Sequence, residues 1–147
     1  MQFFINLVLT INMIIAVNTD ANLSIYIDEI KESVVYDSLN QEIMIELADT
    51  ATALYHITDT KGAGSLTVKD LKTDVNIVQG NYVNALDTFK AYLFTFNEDE
   101  GRELVSVVSY FHPLKNGEWK YWNNEGLLIR TEIYNDGVLV VCKGCKY

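Results

Sequence analysis

Four tyrosines divide the second two thirds of the chain into units of similar length. Tyr55, Tyr82, Tyr110 and Tyr134 are separated by 27, 28 and 24 residues. The clearest unit is the segment 116–137, NGEWKYWNNEGLLIRTEIYNDG, in which glycines separate short apolar and aromatic runs. Self-similarity at this period is typical of one small structural unit that is used several times. The sequence therefore predicts a chain built from stacked β-hairpins.

Short β-strands are predicted wherever β-branched and aromatic residues are concentrated between turn residues. These runs lie at residues 53–57, 66–71, 76–82, 88–97, 103–110, 118–122, 127–134 and 138–142. Since only turns separate them, the predicted fold class is mostly β, with an antiparallel meander over a repeat domain at 52–147.

Four glycine-containing turns are expected between these strands. Asn116-Gly117 and Asp136-Gly137 are residue pairs that accept the positive φ angles of two-residue hairpin turns. Glu100-Gly101 and Glu125-Gly126 place a glycine where a slightly longer loop must reverse direction. Each pair predicts that the strands on either side of it are neighbours.

Alternation along the strands predicts which aromatic rings share a face of the sheet. Trp119 and Tyr121 fall on one face of their strand, and Trp122 falls on the other. In the preceding unit, Phe94 and Phe96 stand at the same distances before the loop glycine. We therefore expect these two pairs to lie on one packed, aromatic face.

The first 21 residues are predicted to be a leader. Twelve of the fifteen residues from Phe3 to Val17 are apolar, a length that suits a signal-peptide core better than a membrane span. Thr19 and Ala21 supply the small residues for cleavage after position 21, although the first basic residue is Lys31. A cleaved signal peptide, a retained membrane anchor and a hydrophobic strand or helix within the fold remain alternatives.

The segment 22–51 has a mixed pattern. Partial period-two alternation in SIYIDEI predicts a strand at 24–30. Apolar residues near helical spacing predict a short helix at 41–50. We expect this segment to cover one end or one face of the sheet that follows.

The net charge limits the classes of partner. The 147 residues carry 20 acidic and 11 basic side chains, a net charge of −9. An acidic surface repels phosphate backbones and anionic lipid, so nucleic-acid binding is not expected. Membrane contact is expected only through the leader, if it is not cleaved.

Two cysteines form a CKGC motif near the C-terminus. Cys142 and Cys145 fit a local disulfide or free thiols, with an intermolecular or redox role and a metal site as alternatives. Zinc needs about four ligands, and His56 and His112 are the only histidines. His56 and His112 come one and two residues after Tyr55 and Tyr110, and they are expected at the surface or at a sheet edge or, alternatively, as a pH-sensitive pair.

No motif for catalysis or cofactor binding is present. The chain has no P-loop, GxGxxG, GxSxG or HExxH pattern, so no catalytic, cofactor or metal residues are predicted. The acidic run Asn97–Glu100 is expected to be a solvated hairpin tip rather than a calcium loop, because it lacks the wrapped oxygen ligands that calcium requires.

The best-defined unit resembles the bacterial MORN-repeat variant family, some members of which are labelled as antitoxins. The matching residues are Gly117, Trp119, Trp122, Gly126, Leu128, Tyr134 and Gly137. The resemblance implies an antiparallel sheet of stacked hairpins, no enzymatic activity and, for some members, binding to partners or lipids.

Together these features predict a non-enzymatic, exported MORN-type protein that binds another protein at the cell envelope. Trp122 is the preferred contact residue, with Trp119 and Tyr121 as further candidates. One alternative is an antitoxin-like partner of a co-encoded toxin, which would remain in the cytosol. A second alternative is a hydrolase that uses clustered carboxylates. No cofactor is expected.

Overall fold

The computed structural model describes residues 14–18, 23–37 and 39–146, which form strands and turns. The strands are β1 (Ile14–Asn18), β2 (Leu23–Ile27), β3 (Glu32–Val34), β4 (Glu42–Leu47), β5 (Ala51–Ile57), β6 (Gly64–Asp70), β7 (Asn76–Val83), β8 (Thr88–Asn97), β9 (Arg102–Phe111), β10 (Leu114–Trp122), β11 (Leu128–Asn135) and β12 (Val138–Lys143). The predicted mostly β fold class is confirmed, and no helix occurs in these residues.

The strands make two sheets. The large sheet is antiparallel throughout and has the order β12-β11-β10-β7-β6-β5-β4. The small sheet contains β1, β2, β3, β8 and β9. In it, β9 pairs in antiparallel fashion with β8 and in parallel fashion with both β1 and β2.

The chain does not form the single meander that the sequence predicts. After β7, the hairpin β8–β9 leaves the large sheet, and β10 returns to pair with β7. The Trp119 ring lies directly against Gly80 on the neighbouring strand, where any Cβ would overlap the indole. Because Gly80 has no side chain, the indole of Trp119 has room to pack there when β10 pairs with β7.

The helix predicted at 41–50 is wrong. Residues 42–47 form β4, which pairs in register with β5. Ile43, Ile45 and Leu47 are partly buried and pack against the core, and the residues between them are exposed. This alternation has the period of a strand, and pairing with β5 satisfies the backbone groups that a helix would have satisfied internally.

One of the two predicted two-residue turns is confirmed and the other is wrong. Asp136 and Gly137 have φ angles of 45° and 85° and connect β11 to β12. In contrast, Asn116 and Gly117 lie within β10, where the register with β7 shifts. Gly117, at φ 70°, serves a bulge in a continuous strand rather than a hairpin turn.

The hydrophobic core lies between the inner face of the large sheet and β2. Ile25 and Ile27 of β2 are fully buried against residues such as Tyr55 and Trp119 of the large sheet. The rings of Tyr55 and Tyr82 meet edge to face with centroids 6.0 Å apart, and Tyr82 meets Trp119 at 4.9 Å. An aromatic row therefore crosses the core from β5 to β10.

The unit around Phe94 does not share this core. Phe94 and Phe96 lie on β8 of the small sheet, with 69% and 62% of their surfaces exposed. The expectation that they pack on one face with Trp119 and Tyr121 is therefore wrong. The tyrosine spacing is regular, but the unit that contains β8 and β9 folds into a different sheet.

The predicted leader overlaps a strand of the small sheet. β1 spans Ile14–Asn18 and pairs with β9 through Val17 and Asn18. The cleavage site expected at residues 19–21 lies outside the described residues. Within the part of the chain that is described, no helix is long and apolar enough to cross a membrane.

The fit of Trp119 against Gly80 gives a first prediction. We expect Gly80→Ala to lower the free energy of unfolding by about 1–3 kcal/mol, because the added methyl group must displace a fully buried indole. Urea unfolding followed by tryptophan fluorescence measures the change. Gln79→Ala, on the exposed neighbouring residue, is the control and should change stability by less than about 0.5 kcal/mol. Equal stability of Gly80→Ala and the unaltered protein would contradict this packing.

Candidate interaction surface

The three aromatic residues predicted to contact a partner lie on opposite faces of β10. Trp119 is fully buried and Tyr121 is 6% exposed, so both belong to the packed core. The indole Nε1 of Trp119 donates a hydrogen bond to the carbonyl of Asn81 at 3.1 Å. Trp122 lies on the outer face of the large sheet and is half-buried. Only Trp122 of the three can contact a partner without unfolding the core.

Trp122 belongs to an apolar surface at one end of the large sheet. It pairs across strands with Leu128, which is 53% exposed. Further along the same face, Ile133 pairs with Val141, and both remain more than one third exposed. We call this surface the outer C-terminal face and define it by Lys120, Trp122, Leu128, Thr131, Ile133, Val141 and Lys143.

Two ammonium groups lie between these apolar pairs. Lys120, Thr131 and Lys143 stand in register across β10, β11 and β12. Lys120 has a carboxylate neighbour, Glu118, at 3.7 Å. In a chain of net charge −9, two lysines in an apolar surface favour a partner that offers apolar and acidic side chains.

The inner side of the same strands holds a polar network that joins the two sheets. The Lys115 ammonium lies 2.6 Å from a carboxylate oxygen of Glu29, in the turn after β2. It also donates to the Tyr121 hydroxyl at 3.0 Å and lies 4.5 Å from the centroid of the Trp119 ring. Both charged side chains are only 18% exposed. This ion pair therefore ties the small sheet to the large one.

Glu132 extends the network towards β11. Its carboxylate accepts hydrogen bonds from the hydroxyls of Tyr121 and Tyr134, each at 2.9 Å. Arg130 places Nε 3.1 Å from Glu132 and its guanidinium 3.9 Å from the centroid of the Tyr121 ring. Each of the two enclosed carboxylates, Glu29 and Glu132, thus faces a cation and contributes to packing between strands.

Burial raises the pKa of several tyrosines well above the ordinary value. It does so for Tyr55, Tyr82 and Tyr121, because ionisation would place a charge in the apolar core. For Tyr134, burial and the neighbouring Glu132 carboxylate raise the pKa to about 12. The neutral hydroxyls of Tyr55, Tyr121 and Tyr134 donate hydrogen bonds, to the Gly62 carbonyl in the first case and to the Glu132 carboxylate in the other two.

A second concave surface lies on the small sheet. Phe89 and Tyr110 stack with centroids 5.1 Å apart, and the Tyr26 ring stands edge-on to both of them and to His112. The depression has a volume of 590 Å³, and Glu32 contributes to its polar rim. Its residues come from four separate segments, so no local sequence pattern could have predicted it.

The remaining candidate residues are not brought together into one site. His56 lies on β5 and faces Glu42 at 3.7 Å, whereas His112 follows β9 and pairs with Asp28. The two histidines are partly exposed, as expected, and the alternative in which they form a pair is wrong. The segment 97–100 forms the tip of the β8–β9 hairpin, where Asn97 accepts backbone hydrogen bonds within the turn.

Cys142 and Cys145 form a disulfide, with Cα atoms 5.9 Å apart. Together with Glu132, they are the one group of three possible metal ligands within the described residues. Thiols joined in a disulfide do not offer the thiolates that zinc binds, and three donors fall short of the four ligands of a structural zinc site, so this group does not fit zinc as it stands.

Lys115 is not among the residues predicted from sequence, although its spacing from Trp119 is a usable signal. Alternation backwards from Trp119 places Lys115 on the inward face of the same strand. An inward-facing lysine requires a carboxylate from another element, since a buried charge without a partner is costly. The pattern thus implies a partner, but only the fold identifies it as Glu29.

The Lys115 network gives a second prediction. We expect Lys115→Met to lower the free energy of unfolding by about 2–4 kcal/mol, because Glu29 would remain enclosed without its cation. Lys120→Met, which removes an exposed lysine on the opposite face, should change it by about 1 kcal/mol or less. The double variant Lys115→Met/Glu29→Gln should recover part of the loss. Chemical denaturation of the four proteins measures these differences, and a loss for Lys115→Met no larger than that for Lys120→Met would contradict the network.

The raised tyrosine pKa values give a third prediction. A group with a raised pKa in the folded state contributes stability below its unfolded pKa, and this contribution is lost as the pH rises towards the folded value. We therefore expect stability to fall as the pH rises from the ordinary tyrosine value of 10 towards about 12. Tyrosinate absorbance and circular dichroism, recorded on the same samples, should show that these tyrosines ionise together with unfolding. Ionisation of all nine tyrosines near pH 10 with the fold intact would contradict their burial.

Comparisons with protein-family models, with curated proteins and with solved structures found no match for this chain.

Proposed function

We propose that the chain is a non-enzymatic, exported interaction module of the MORN type that binds another protein at the cell envelope. The proposed contact surface is the outer C-terminal face, with Trp122 as its central side chain. The observation that carries this proposal is the set of apolar side chains left exposed on that face, led by Leu128 at 53%. Clustered exposed apolar residues with a polar surround are typical of protein interaction sites.

The chemistry of the surface indicates the kind of partner. Trp122 offers a large apolar ring, and tryptophan is enriched among residues that dominate binding energy. Lys120 and Lys143 would pair with carboxylates of the partner, which favours an apolar and acidic segment. Among the residues that the structure describes, β12 pairs only with β11, so its other edge offers backbone groups to which an extended segment of the partner could add a strand.

Export is supported by the composition of the leader and by the disulfide. Residues 1–21 have the apolar core and the small residues of a signal peptide. The disulfide between Cys142 and Cys145 is the kind of bond that persists in an oxidising compartment.

One observation favours the antitoxin-like alternative. β1 falls within the predicted leader and yet pairs with β9, so cleavage after position 21 would remove a strand. A chain that keeps β1 and stays in the cytosol would suit a neutraliser of a cytosolic toxin. The intact mass of the protein recovered from its native host distinguishes the two, since it reports both leader cleavage and the oxidation state of the cysteines.

A photo-crosslinking residue in the native host tests the proposed surface. Placed at position 128, it should yield one discrete adduct with another polypeptide, and Trp122→Ser in the same chain should abolish that adduct. Met44 provides the matched control, because it is exposed and lies on the outer face at the opposite end of the same sheet. No adduct at position 128, or equal adducts at positions 44 and 128, would contradict the proposal.

A further inference from the structure

The strand β8 has a free edge in a structure whose other long strands are enclosed. Among the described residues, β8 pairs only with β9, over the whole length from Thr88 to Asn97. Alternate residues of this ten-residue strand therefore direct their backbone N–H and C=O groups away from the protein. Such an edge is a template for pairing with another strand.

Both faces of β8 are apolar and exposed. Tyr92, Phe94 and Phe96 lie on one face with 61%, 69% and 62% of their surfaces exposed. Phe89 and Leu93 lie on the other face and are 39% and 45% exposed. Edge strands that face water are usually interrupted by charges, proline or bulges, but the register of β8 with β9 is uninterrupted. Apart from Lys90, the composition of β8 is that of an interior strand.

We propose that β8 pairs with β8 of a second copy of this chain in a two-fold symmetric, antiparallel arrangement. The two small sheets would become one continuous sheet across the seam. No carboxylate lies between Thr88 and Asn97, so β8 itself brings no negative charges together, and the flanking carboxylates lie at the ends of the seam. This interface is separate from the outer C-terminal face and does not depend on the proposed function.

Symmetry restricts the register of this pairing. A two-fold axis that relates adjacent antiparallel strands is perpendicular to the sheet, so each face continues as the same face in the second copy. Directly opposed side chains must therefore come from two even-numbered or two odd-numbered positions. One residue then faces its own copy, and the axis passes between these two copies; we name each register by that residue. Axes through Tyr92 or Leu93 give the longest overlap of residues 88–97.

Charge selects between these two registers. With the axis through Leu93, Lys90 faces Phe96 of the second copy and is the diagonal neighbour of its Glu98. With the axis through Tyr92, the neighbours of Lys90 in the second copy are Phe94, Tyr92 and Phe96, and no carboxylate is adjacent. The Leu93 register therefore gives the single charged side chain of β8 a partner of opposite sign. Asp87 and Asp99, which are also opposed in this register, lie outside the strand.

Two cysteine variants test this register. In a background carrying Cys142→Ser and Cys145→Ser, we expect Leu93→Cys to form an interchain disulfide on mild oxidation, because the two copies of residue 93 would face each other across the axis. Ala91→Cys is the matched control on the same face of the same strand. Its two copies would be about 13 Å apart, too far for a disulfide. Efficient crosslinking of Ala91→Cys, or none of Leu93→Cys, would overturn the Leu93 register.

Sedimentation equilibrium of the unaltered chain tests the pairing itself. We expect a monomer–dimer equilibrium, with Lys90→Glu raising the dissociation constant by about threefold to tenfold. Lys90→Glu/Glu98→Lys should restore it, and because both residues are exposed neither change is expected to prevent folding. A protein that stays monomeric at about 100 μM would overturn the proposal. A monomer that still forms the adduct at position 128 would leave the proposed function intact.

Discussion

The strand order of the large sheet depends on the contact between Trp119 and Gly80. The indole is fully buried where glycine leaves room on the neighbouring strand, and burying a ring of this size contributes on the order of 2–3 kcal/mol. The contact draws β10 to β7 and thereby excludes the hairpin β8–β9 from the large sheet. The aromatic row from Tyr55 through Tyr82 ends on this indole, so the core and the strand order have a common cause.

The inner face of the large sheet is saturated with interactions, and this restricts where the protein can bind anything. Ile25 and Ile27 cover its centre, and the pair Glu29–Lys115 closes one side. The covered part of this face is therefore closed to a partner, and the exposed surfaces lie on the outer face, on the small sheet and along strand edges. The outer C-terminal face and the edge of β8 are two such places, and they differ in chemistry because one carries lysines among apolar residues and the other is almost uncharged.

The strands themselves could be predicted from sequence because their alternation is local. The eight runs from residue 53 onwards coincide with β5 to β12, and the turn at Asp136-Gly137 forms as its residue types require. The sequence of segment 41–50 is compatible with a helix because a short apolar run fits either period, and only pairing with β5 decides for a strand. Asn116-Gly117 has the composition of a turn but serves as a bulge, because Trp119 holds the rest of β10 against β7.

The sequence by itself determined the β class, the position of most strands and the face on which Trp119, Tyr121 and Trp122 each lie. These properties depend on residues that are neighbours along the chain. Only the tertiary structure decided that β8 and β9 form part of a second sheet, that Lys115 meets Glu29, and that Tyr26, Phe89, Tyr110 and His112 share one depression. The reason is physical: a regular spacing of tyrosines specifies units of similar length, but which units pack together depends on the fit of side chains between distant strands.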